Sequence, residues 1–250
     1  MENSTIVDIK EFYLGRIACI DFNFNERNTL SLENTQLLKE AIDKLLTIKS
    51  VRCVVFNSTT PGYFSDGFSL KAMFGENTRI QLEKGETHLY DQVVNIYKSL
   101  IECPIPTISF VDGICRGGGF EWGLASDFIV ATPNSQFALH EVKIGILPGL
   151  GGFEMMQNKG NLSVANYSLL TGNYLSTTQA MNVRLVDAEV DSFHEMLEQF
   201  AQPIARHSRA SLIRMKDFIN LKKTKIDALN ASRNPFLDSL KVRIKDNRIA

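Results

Sequence analysis

The feature that most constrains this chain is a run of three glycines, Gly117 to Gly119, between a predicted strand and a predicted helix. The strand prediction covers residues 107–111, and the helix prediction covers about 118–125. Glycines at the start of a helix let a ligand approach bare backbone, and the first N–H groups of a helix have no intrahelical acceptor. We therefore expect an oxyanion to bind at this turn, unless the glycines only permit close packing.

Strand and helix patterns alternate along the first part of the chain. Short apolar runs predict strands at 5–10, 17–22, 51–56, 128–131 and 136–139. Apolar residues at helical spacing predict helices from Ser31 to about 48 and over 90–101. After Gly152 the pattern is mostly helical, with helices predicted at 163–170, 177–182, 192–206 and 208–221. The fold class is therefore α/β, with an α/β core followed by a helical C-terminal region.

Two glutamates lie in apolar sequence close to glycines. Glu121 is about one turn into the helix after the glycine run, and Glu141 lies in a segment that ends in Gly151 and Gly152. Burial in apolar surroundings raises the pKa of a carboxyl group toward the neutral range needed for proton transfer. One carboxyl group could then donate a proton while the other accepts one. The alternative for each glutamate alone is a solvated helix position or a salt bridge.

A third candidate element is the loop after the strand predicted at 51–56. In this loop, Gly67 would let the N–H of Phe68 point into a cleft. An enolate oxygen is best held by two fixed N–H donors. Phe68 would therefore supply the second donor, opposite the glycine run.

Together, these segments resemble the crotonase (enoyl-CoA hydratase/isomerase) superfamily over nearly the whole chain. Residues 64–71 (FSDGFSLK) resemble its F-x-A-G-x-D-L-K loop, and residues 117–122 (GGGFEW) resemble its G-G-G-x-E-L helix start. Residues 137–152 resemble the F-x-x-P-E-x-x-x-G-x-x-P-G-x-G-G segment, and residues 178–187 the A-x-x-x-G-L-V-D stretch. The resemblance implies the crotonase-like (ClpP/crotonase) fold of repeated ββα units, with a core over 1–190 and a helical trimerisation or lid region over 191–250.

The resemblance also implies a role for each matching residue. The backbone N–H groups of Phe68 and Gly118 would form an oxyanion hole for a thioester carbonyl. Glu121 would act as base on the water that attacks Cβ, and Glu141 would protonate Cα, in a syn addition to a 2-enoyl thioester. The substrate would be an acyl-CoA or acyl-carrier thioester, with coenzyme A as part of the substrate, no other cofactor and no metal. The same motifs offer Asp66, Gly67, Leu70, Lys71 and His140 as substrate-binding candidates.

Several residues depart from the family pattern. Asp66 stands where a small neutral residue is usual, and Phe68 is bulky for an oxyanion position, although only its N–H is required there. Arg116 precedes the glycines in place of an apolar residue. His140 replaces a proline, and we expect it either to join the proton chemistry or to support the site by packing.

Two other functions remain beside hydration. One is another enolate reaction at the same site, either double-bond isomerisation by an enoyl-CoA isomerase or dehydration of a carrier-bound biosynthetic intermediate. The altered loop around Asp66 keeps this alternative open. The other is a non-catalytic relative that binds an acyl thioester, and the retention of both glutamates argues against it. The resemblance further implies a homotrimer or a hexamer.

Charge and composition exclude other classes of partner. The 27 basic and 28 acidic residues nearly cancel, which gives no electrostatic case for nucleic acid or a membrane surface. No apolar stretch has the length of a membrane helix, no secretory signal pattern is present, and the four cysteines show no paired spacing. We therefore expect a cytoplasmic protein with buried thiols.

Basic residues are concentrated at the end of the sequence. Residues 206–250 carry 12 basic and 4 acidic residues. Either Lys216, Lys222 or Lys223 contacts coenzyme phosphates, from its own or a neighbouring subunit, or the surplus is a solvated helix face.

Overall fold

The computed structural model describes residues 6–160, 162–219 and 221–246. Thr5 of the first predicted strand and residues 247–250 of the predicted C-terminal region lie outside the described residues. The strands are β1 (Ile6–Phe12), β2 (Ile17–Asn23), β3 (Cys53–Ser58), β4 (Tyr63–Ser65), β5 (Thr107–Val111), β6 (Ile114–Arg116), β7 (Phe128–Ala131), β8 (Gln136–Ala138), β9 (Leu175–Ser176) and β10 (Ala188–Glu189).

The helices connect and cover these strands. A 3₁₀ turn (Glu141–Ile144) follows β8, and a π-helical segment (Met196–Ala201) joins α9 to α10. The α-helices are α1 (Leu32–Thr47), α2 (Leu70–Met73), α3 (Glu76–Glu83), α4 (His88–Ile101), α5 (Gly118–Ala125), α6 (Gly152–Lys159), α7 (Leu162–Thr171), α8 (Thr177–Asn182), α9 (Phe193–Glu195), α10 (Gln202–Ala205), α11 (Arg209–Ile219) and α12 (Leu221–Lys245).

The chain moves back and forth between two sheets. The six-stranded sheet has the order β1-β2-β3-β5-β7-β10, and its strands are parallel except for the antiparallel pair β1 and β2. The four-stranded sheet has the order β4-β6-β8-β9, in which β4, β6 and β8 are parallel. The strand pairs β3 and β4, β5 and β6, and β7 and β8 are each followed by a helix or helical turn. These three repeats are the expected ββα units.

The central strands of the larger sheet, β2, β3, β5 and β7, are buried on both faces. Side chains alternate across a strand, so neighbouring residues of β2 enter different clusters. Ala18 and Ile20 pack in the main core with α1, α4 and α5, whereas Ile17 and Cys19 face the segment 193–205. The four cysteines are buried, as predicted. Within the described part of the chain, none of the helices has the length and apolarity needed to cross a membrane.

Local sequence signals account for several elements. Ser31 begins α1, as predicted: its Oγ accepts the N–H of Asn34 at 3.3 Å, while Asn34 Oδ1 accepts the N–H of Ser31 at 2.7 Å. This reciprocal capping satisfies N–H groups that have no intrahelical partner. The predictions of strands at 107–111 and 128–131 and of helices at 118–125 and 177–182 match the structure.

The sequence prediction missed two short strands, β4 and β6. The glycine run therefore follows β6 of the smaller sheet, and not β5 directly. A turn at Asp112 and Gly113 separates the two strands, and Gly113 has a φ of 101°. A methyl group added at Gly113 would lie 2.2 Å from the carbonyl oxygen of Gly62, so only glycine fits this crossing.

Lys216 does not have either of the roles proposed for the basic C-terminal residues. It is buried, forms an ion pair with Asp127 and donates to the carbonyl oxygen of Ile105 at 3.1 Å. It therefore attaches α11 to the core beneath β5 and cannot meet a coenzyme phosphate from that position. Lys223 is exposed, and the side chain of Lys222 lies outside the described part of the chain.

Candidate active site

Three parallel strands bring the sequence motifs to one edge of the smaller sheet. The strands β4, β6 and β8 are neighbours, so their carboxyl ends lie side by side. Gly67 and Phe68 follow β4, Gly117 and Gly118 follow β6, and Glu141 follows β8. Residues far apart in the sequence thus meet because each motif ends the same kind of strand.

The backbones of the loops after β4 and β6 lie in close contact with each other. Gly67 has a φ of 82°, and a methyl group added there would lie 3.0 Å from the carbonyl oxygen of Arg116 and 3.3 Å from the nitrogen of Gly118. Glycine is therefore required by both conformation and space. Among the described residues, none accepts a hydrogen bond from the N–H of Phe68 or of Gly118. Within the described part of the chain, the two predicted oxyanion donors are therefore both unpaired.

Gly118 is the first residue of α5, where the partial positive charge of the helix is concentrated. The residue before it, Gly117, has a φ of 52°. The hydroxyl of buried Tyr97 donates to the carbonyl oxygen of Gly118 at 2.6 Å and fixes the first turn. This turn offers backbone donors to a developing negative charge.

Glu121 lies in the first turn of α5 and is buried. Its Oε1 accepts the N–H of Leu150 at 2.7 Å and the N–H of Gly152 at 3.1 Å. Burial raises the pKa of Glu121, and the two N–H donors oppose that rise because they stabilise the carboxylate. Glu121 is thus a buried acid that can still hold a negative charge.

Glu141 is also buried, but its carboxyl group has fewer hydrogen-bond partners than that of Glu121. Its Oε2 is without a hydrogen-bond partner in the described part of the chain, and a methyl group added at Gly117 would lie 3.3 Å from its Oε1. Burial raises the pKa of Glu141, and the nearby charge of Glu121 raises it further. Glu141 therefore favours the protonated form more strongly than Glu121 does.

One cavity of about 770 Å³ joins these groups. This volume is typical of sites for small molecules. Leu70 and Lys71 are exposed at its edge, whereas Glu121 and Glu141 are buried within it. Every predicted site residue lines this cavity: Asp66, Gly67, Phe68, Leu70, Lys71, Gly118, Glu121, His140 and Glu141.

Asp66 and Arg116, which both depart from the family pattern, form an ion pair with each other. One carboxylate oxygen of Asp66 pairs with Arg116 Nε at 2.5 Å, and the other pairs with Arg27 Nη2 at 2.7 Å. Arg116 also donates to the hydroxyl of Tyr174 at 2.7 Å. Since both oxygens of Asp66 are occupied by guanidinium groups, its predicted contact with substrate would require one of these ion pairs to open.

His140 lies in the cavity wall beside this ion-pair cluster. Its Nδ1 is buried and finds no partner among the described residues. Burial and the positive charge of Arg116 lower the pKa of His140 to about 4. His140 is therefore neutral near pH 7, and its part in proton chemistry or packing stays a prediction.

The sequence did not predict that α4 and α12 form part of the cavity wall. Tyr90, Phe236 and Leu240 line the cavity, and Ser232 bonds to the loop before Gly151. A weak signal was present, because Phe236, Leu237 and Leu240 recur at helical spacing, although Pro235 beside them argues against a helix interior.

The polar groups of the cavity suit a thioester and a water molecule better than a metal ion. In the described residues, no group of three or more His, Cys, Asp or Glu side chains could hold a metal ion. The cavity instead combines two unpaired N–H groups, which can bind a developing oxyanion, with two buried acids that can hold or release a proton. Burial also raises the pKa of the Cys115 thiol, which disfavours a nucleophilic thiolate.

The chain is similar to proteins of one known family. Residues 14–241 match the enoyl-CoA hydratase/isomerase family. The chain is 29% identical over 170 residues to a mitochondrial methylglutaconyl-CoA hydratase from Mus musculus, covering 68% of this chain and 52% of the mouse protein. It is also 29% identical to the Homo sapiens protein of the same name, covering 68% and 48%. The matched segment thus spans about half the length of these curated relatives.

Solved structures share the fold. An enoyl-CoA hydratase from Bacillus halodurans superposes with a TM-score of 0.82 at 19% identity, covering 97% of both chains. An enoyl-CoA hydratase from Mycobacterium smegmatis has a TM-score of 0.77 at 23% identity, covering 97% of this chain and 91% of the other. The expected α/β crotonase-like fold is confirmed. The chain belongs to the enoyl-CoA hydratase/isomerase family of the crotonase superfamily.

Proposed function

We propose that this protein is a hydratase that adds water to the double bond of a 2-enoyl thioester. The thioester oxygen would accept the N–H groups of Phe68 and Gly118 as it becomes an enolate oxygen. Glu121 would take a proton from water while the water oxygen bonds to Cβ, and Glu141 would give its proton to Cα. This reaction requires two fixed N–H donors to the enolate oxygen and two carboxyl groups whose pKa values lie near neutral pH.

The observation that carries the proposal is the difference between the two acids. Glu121 accepts two backbone N–H bonds that stabilise a carboxylate, whereas Oε2 of Glu141 is buried without a described partner. A base must start without its proton, and an acid must start with it. The asymmetry supports Glu121 as the base and Glu141 as the acid in the hydration direction.

Both acids line the same cavity, which supports addition of the two parts of water to one face of the substrate. Syn addition is therefore the expected stereochemistry. The same geometry serves the reverse reaction, so a 3-hydroxyacyl thioester would lose water at this site under product-rich conditions.

The test is to mix the purified protein with crotonyl-CoA and follow the absorbance of the conjugated enoyl thioester. We expect the absorbance to fall and the product to gain the mass of one water molecule. Binding of crotonyl-CoA without any change in absorbance would contradict the hydratase proposal and favour a non-catalytic binding protein. Formation of the conjugated absorbance from 3-enoyl-CoA, with no hydration of crotonyl-CoA, would favour an isomerase.

The acyl group should be tested with a panel. The curated relatives are named methylglutaconyl-CoA hydratases, so the panel should include that branched, acidic acyl group beside straight-chain enoyl groups. Arg27 and Arg116 at the cavity could attract its carboxylate, although both are paired with Asp66. Turnover of carrier-bound but not CoA-bound substrates would instead favour a biosynthetic dehydratase.

We also infer a homotrimer, or a hexamer made of two trimers, in the cytoplasm. Exposed apolar side chains on α11, among them Phe218 and Met215, support a contact between copies. Sedimentation velocity tests the assembly. Fractionation of the source cells tests the compartment, since the mouse and human relatives are named as mitochondrial.

A further inference from the structure

The peptide unit between Gly149 and Leu150 connects Glu121 to two hydroxyl groups. At one end of this unit, the N–H of Leu150 donates to Glu121 Oε1 at 2.7 Å. At the other end, the carbonyl oxygen of Gly149 accepts the hydroxyl of Tyr90 at 2.5 Å and the hydroxyl of Ser232 at 3.0 Å. Both hydroxyl groups therefore act on the atom directly opposite the donor that Glu121 uses.

A peptide unit is planar and rigid, so fixing its oxygen fixes the direction of its N–H. This control is needed here because Gly149, Gly151 and Gly152 make the segment conformationally permissive. Hydrogen bonds accepted by an amide oxygen also polarise the amide and strengthen its N–H as a donor. Tyr90 and Ser232 thus affect both the position and the strength of the bond to Glu121.

The hydroxyl of Tyr90 is itself held in place by α12. The ring of Tyr90 stacks on the ring of Phe236 at a centroid distance of 5.2 Å, and Arg233 on α12 pairs with Asp91 on α4 at 2.8 Å. A methyl group added at Gly149 would lie 2.8 Å from Phe236 Cγ, so this ring also packs on the loop. Burial raises the pKa of Tyr90, which keeps its hydroxyl protonated as a donor.

We propose that Tyr90 and Ser232 are positioning residues that hold the Gly149–Leu150 peptide unit so that its N–H is directed at Glu121. Neither residue needs to touch the reacting atoms for this role. The proposal rests on the proposed function only where it predicts an effect on turnover. It also predicts a property of Glu121 that can be measured without substrate.

The expected effect follows from the charge on Glu121. The N–H of Leu150 stabilises the carboxylate, so weakening that bond raises the pKa of Glu121 further above its ordinary value. Tyr90→Phe and Ser232→Ala each remove one hydroxyl and keep the ring or the helix. In each variant, the acid limb of kcat should move to higher pH, with a roughly threefold to tenfold loss of kcat on that limb.

The test is a carbon-13 NMR titration of the full chain labelled at the glutamate carboxyl carbons, in a Glu141→Gln background that removes the coupled acid. The Glu121 signal is assigned by its loss in Glu121→Gln. We expect its titration to move to higher pH in Tyr90→Phe, in Ser232→Ala and most in the double variant. Tyr167→Phe and Ser99→Ala are matched controls, because they remove the hydroxyl groups of an exposed tyrosine and a half-buried serine that both lie outside the cavity.

The possible outcomes separate the positioning role from the proposed function. An unchanged Glu121 titration in folded Tyr90→Phe and Ser232→Ala proteins would overturn the positioning role. Equal shifts in the two control variants would also overturn it, because the effect would then be nonspecific. A shifted titration together with absence of hydratase activity in the parent protein would support the positioning role and contradict the proposed function. If the double variant does not fold, the two single variants give the same decision.

Discussion

The ring of Phe68 lies directly over Gly118: a methyl group added at Gly118 would be 2.5 Å from Phe68 Cδ2. The two residues that carry the proposed oxyanion donors are therefore in contact through a ring and a bare Cα. A methyl group at residue 118 would have to displace the ring of Phe68, and we expect this displacement to strain the Phe68 backbone and disturb the direction of its N–H.

The first prediction concerns this contact. Gly118→Ala should lower kcat for the enoyl thioester by about 10²-fold to 10³-fold, the usual effect of losing one oxyanion donor. Adding Phe68→Ala should restore part of the rate, because the added methyl group then has space. Steady-state kinetics on the single and double variants measure this recovery. Equal activity of Gly118→Ala and the parent protein would contradict the oxyanion assignment.

The second prediction concerns the two acids. Glu121→Gln and Glu141→Gln keep the shape of each side chain and remove its ability to transfer a proton, so each should lower kcat by about 10²-fold to 10⁴-fold. Glu40→Gln is the matched control, because Glu40 is exposed on α1 outside the cavity. Hydration rates and circular dichroism should be measured together. Full activity in both cavity variants would remove the basis of the proposed mechanism.

The third prediction concerns pH. Burial raises the pKa of Glu121 and of Glu141, so the whole bell-shaped profile of kcat/KM should lie above the ordinary glutamate pKa of about 4.3. Activity should rise with pH as the pair loses its first proton, which leaves Glu121 charged. It should fall again as the second proton leaves Glu141. The limbs belong to the coupled pair.

The control for that profile is Glu141→Gln, measured over the same pH range. This variant should lose the alkaline limb, with a low residual rate. Persistence of an unchanged alkaline limb would mean that another group titrates there.

The fourth prediction concerns stability. Lys216→Met would leave the nearly buried carboxylate of Asp127 without its cation, so we expect the free energy of unfolding to fall by about 3 kcal/mol. Adding Asp127→Asn should cost less than the sum of the single changes, because the two side chains interact directly. Lys223→Met, at an exposed position, should change stability by less than about 0.5 kcal/mol. Urea unfolding of the parent protein, Lys216→Met, Asp127→Asn, the double variant and Lys223→Met measures these differences. A Lys216→Met protein as stable as Lys223→Met would show that the ion pair contributes nothing.

Local sequence patterns predicted much of the fold. Ser31 marked the start of α1 through its cap, and the glycine run marked α5, because capping and glycine conformation act within a few residues. The strands β4 and β6 escaped detection, since each has three residues flanked on both sides by glycine-containing turn sequence, which predicts a loop. These two strands nevertheless place Phe68 and Gly118 at the same sheet edge.

The sequence predicted the site residues that belong to a motif. It did not predict residues whose role depends on contacts between separate segments of the fold. All nine candidate residues line one cavity, since the motifs name the residues that follow each strand. The pairing of Asp66 with Arg116 could not be read from the sequence, because a salt bridge between separate loops depends on their folded positions. The same reason concealed Tyr90 and Ser232.

Helix α12 could not be recognised as an element because its apolar positions are interrupted by Ser232 and Arg233 and it contains Pro235. In the structure, Leu229, Phe236 and Leu240 form its buried face. Lys223, Lys241 and Lys245 are exposed, whereas Lys225, Arg233 and Arg243 contact the rest of the protein and interrupt the apolar spacing.

The position of Phe236 and Leu240 has a thermodynamic consequence. These side chains form part of the cavity wall but belong to a helix that is remote in sequence from the strands. A molecule that fills the cavity contacts both, so its binding energy opposes detachment of the helix, and detachment weakens its binding by the same amount. Occupancy of the cavity should therefore increase the protection of the α12 amides from hydrogen exchange, because both depend on the same equilibrium between attached and detached α12.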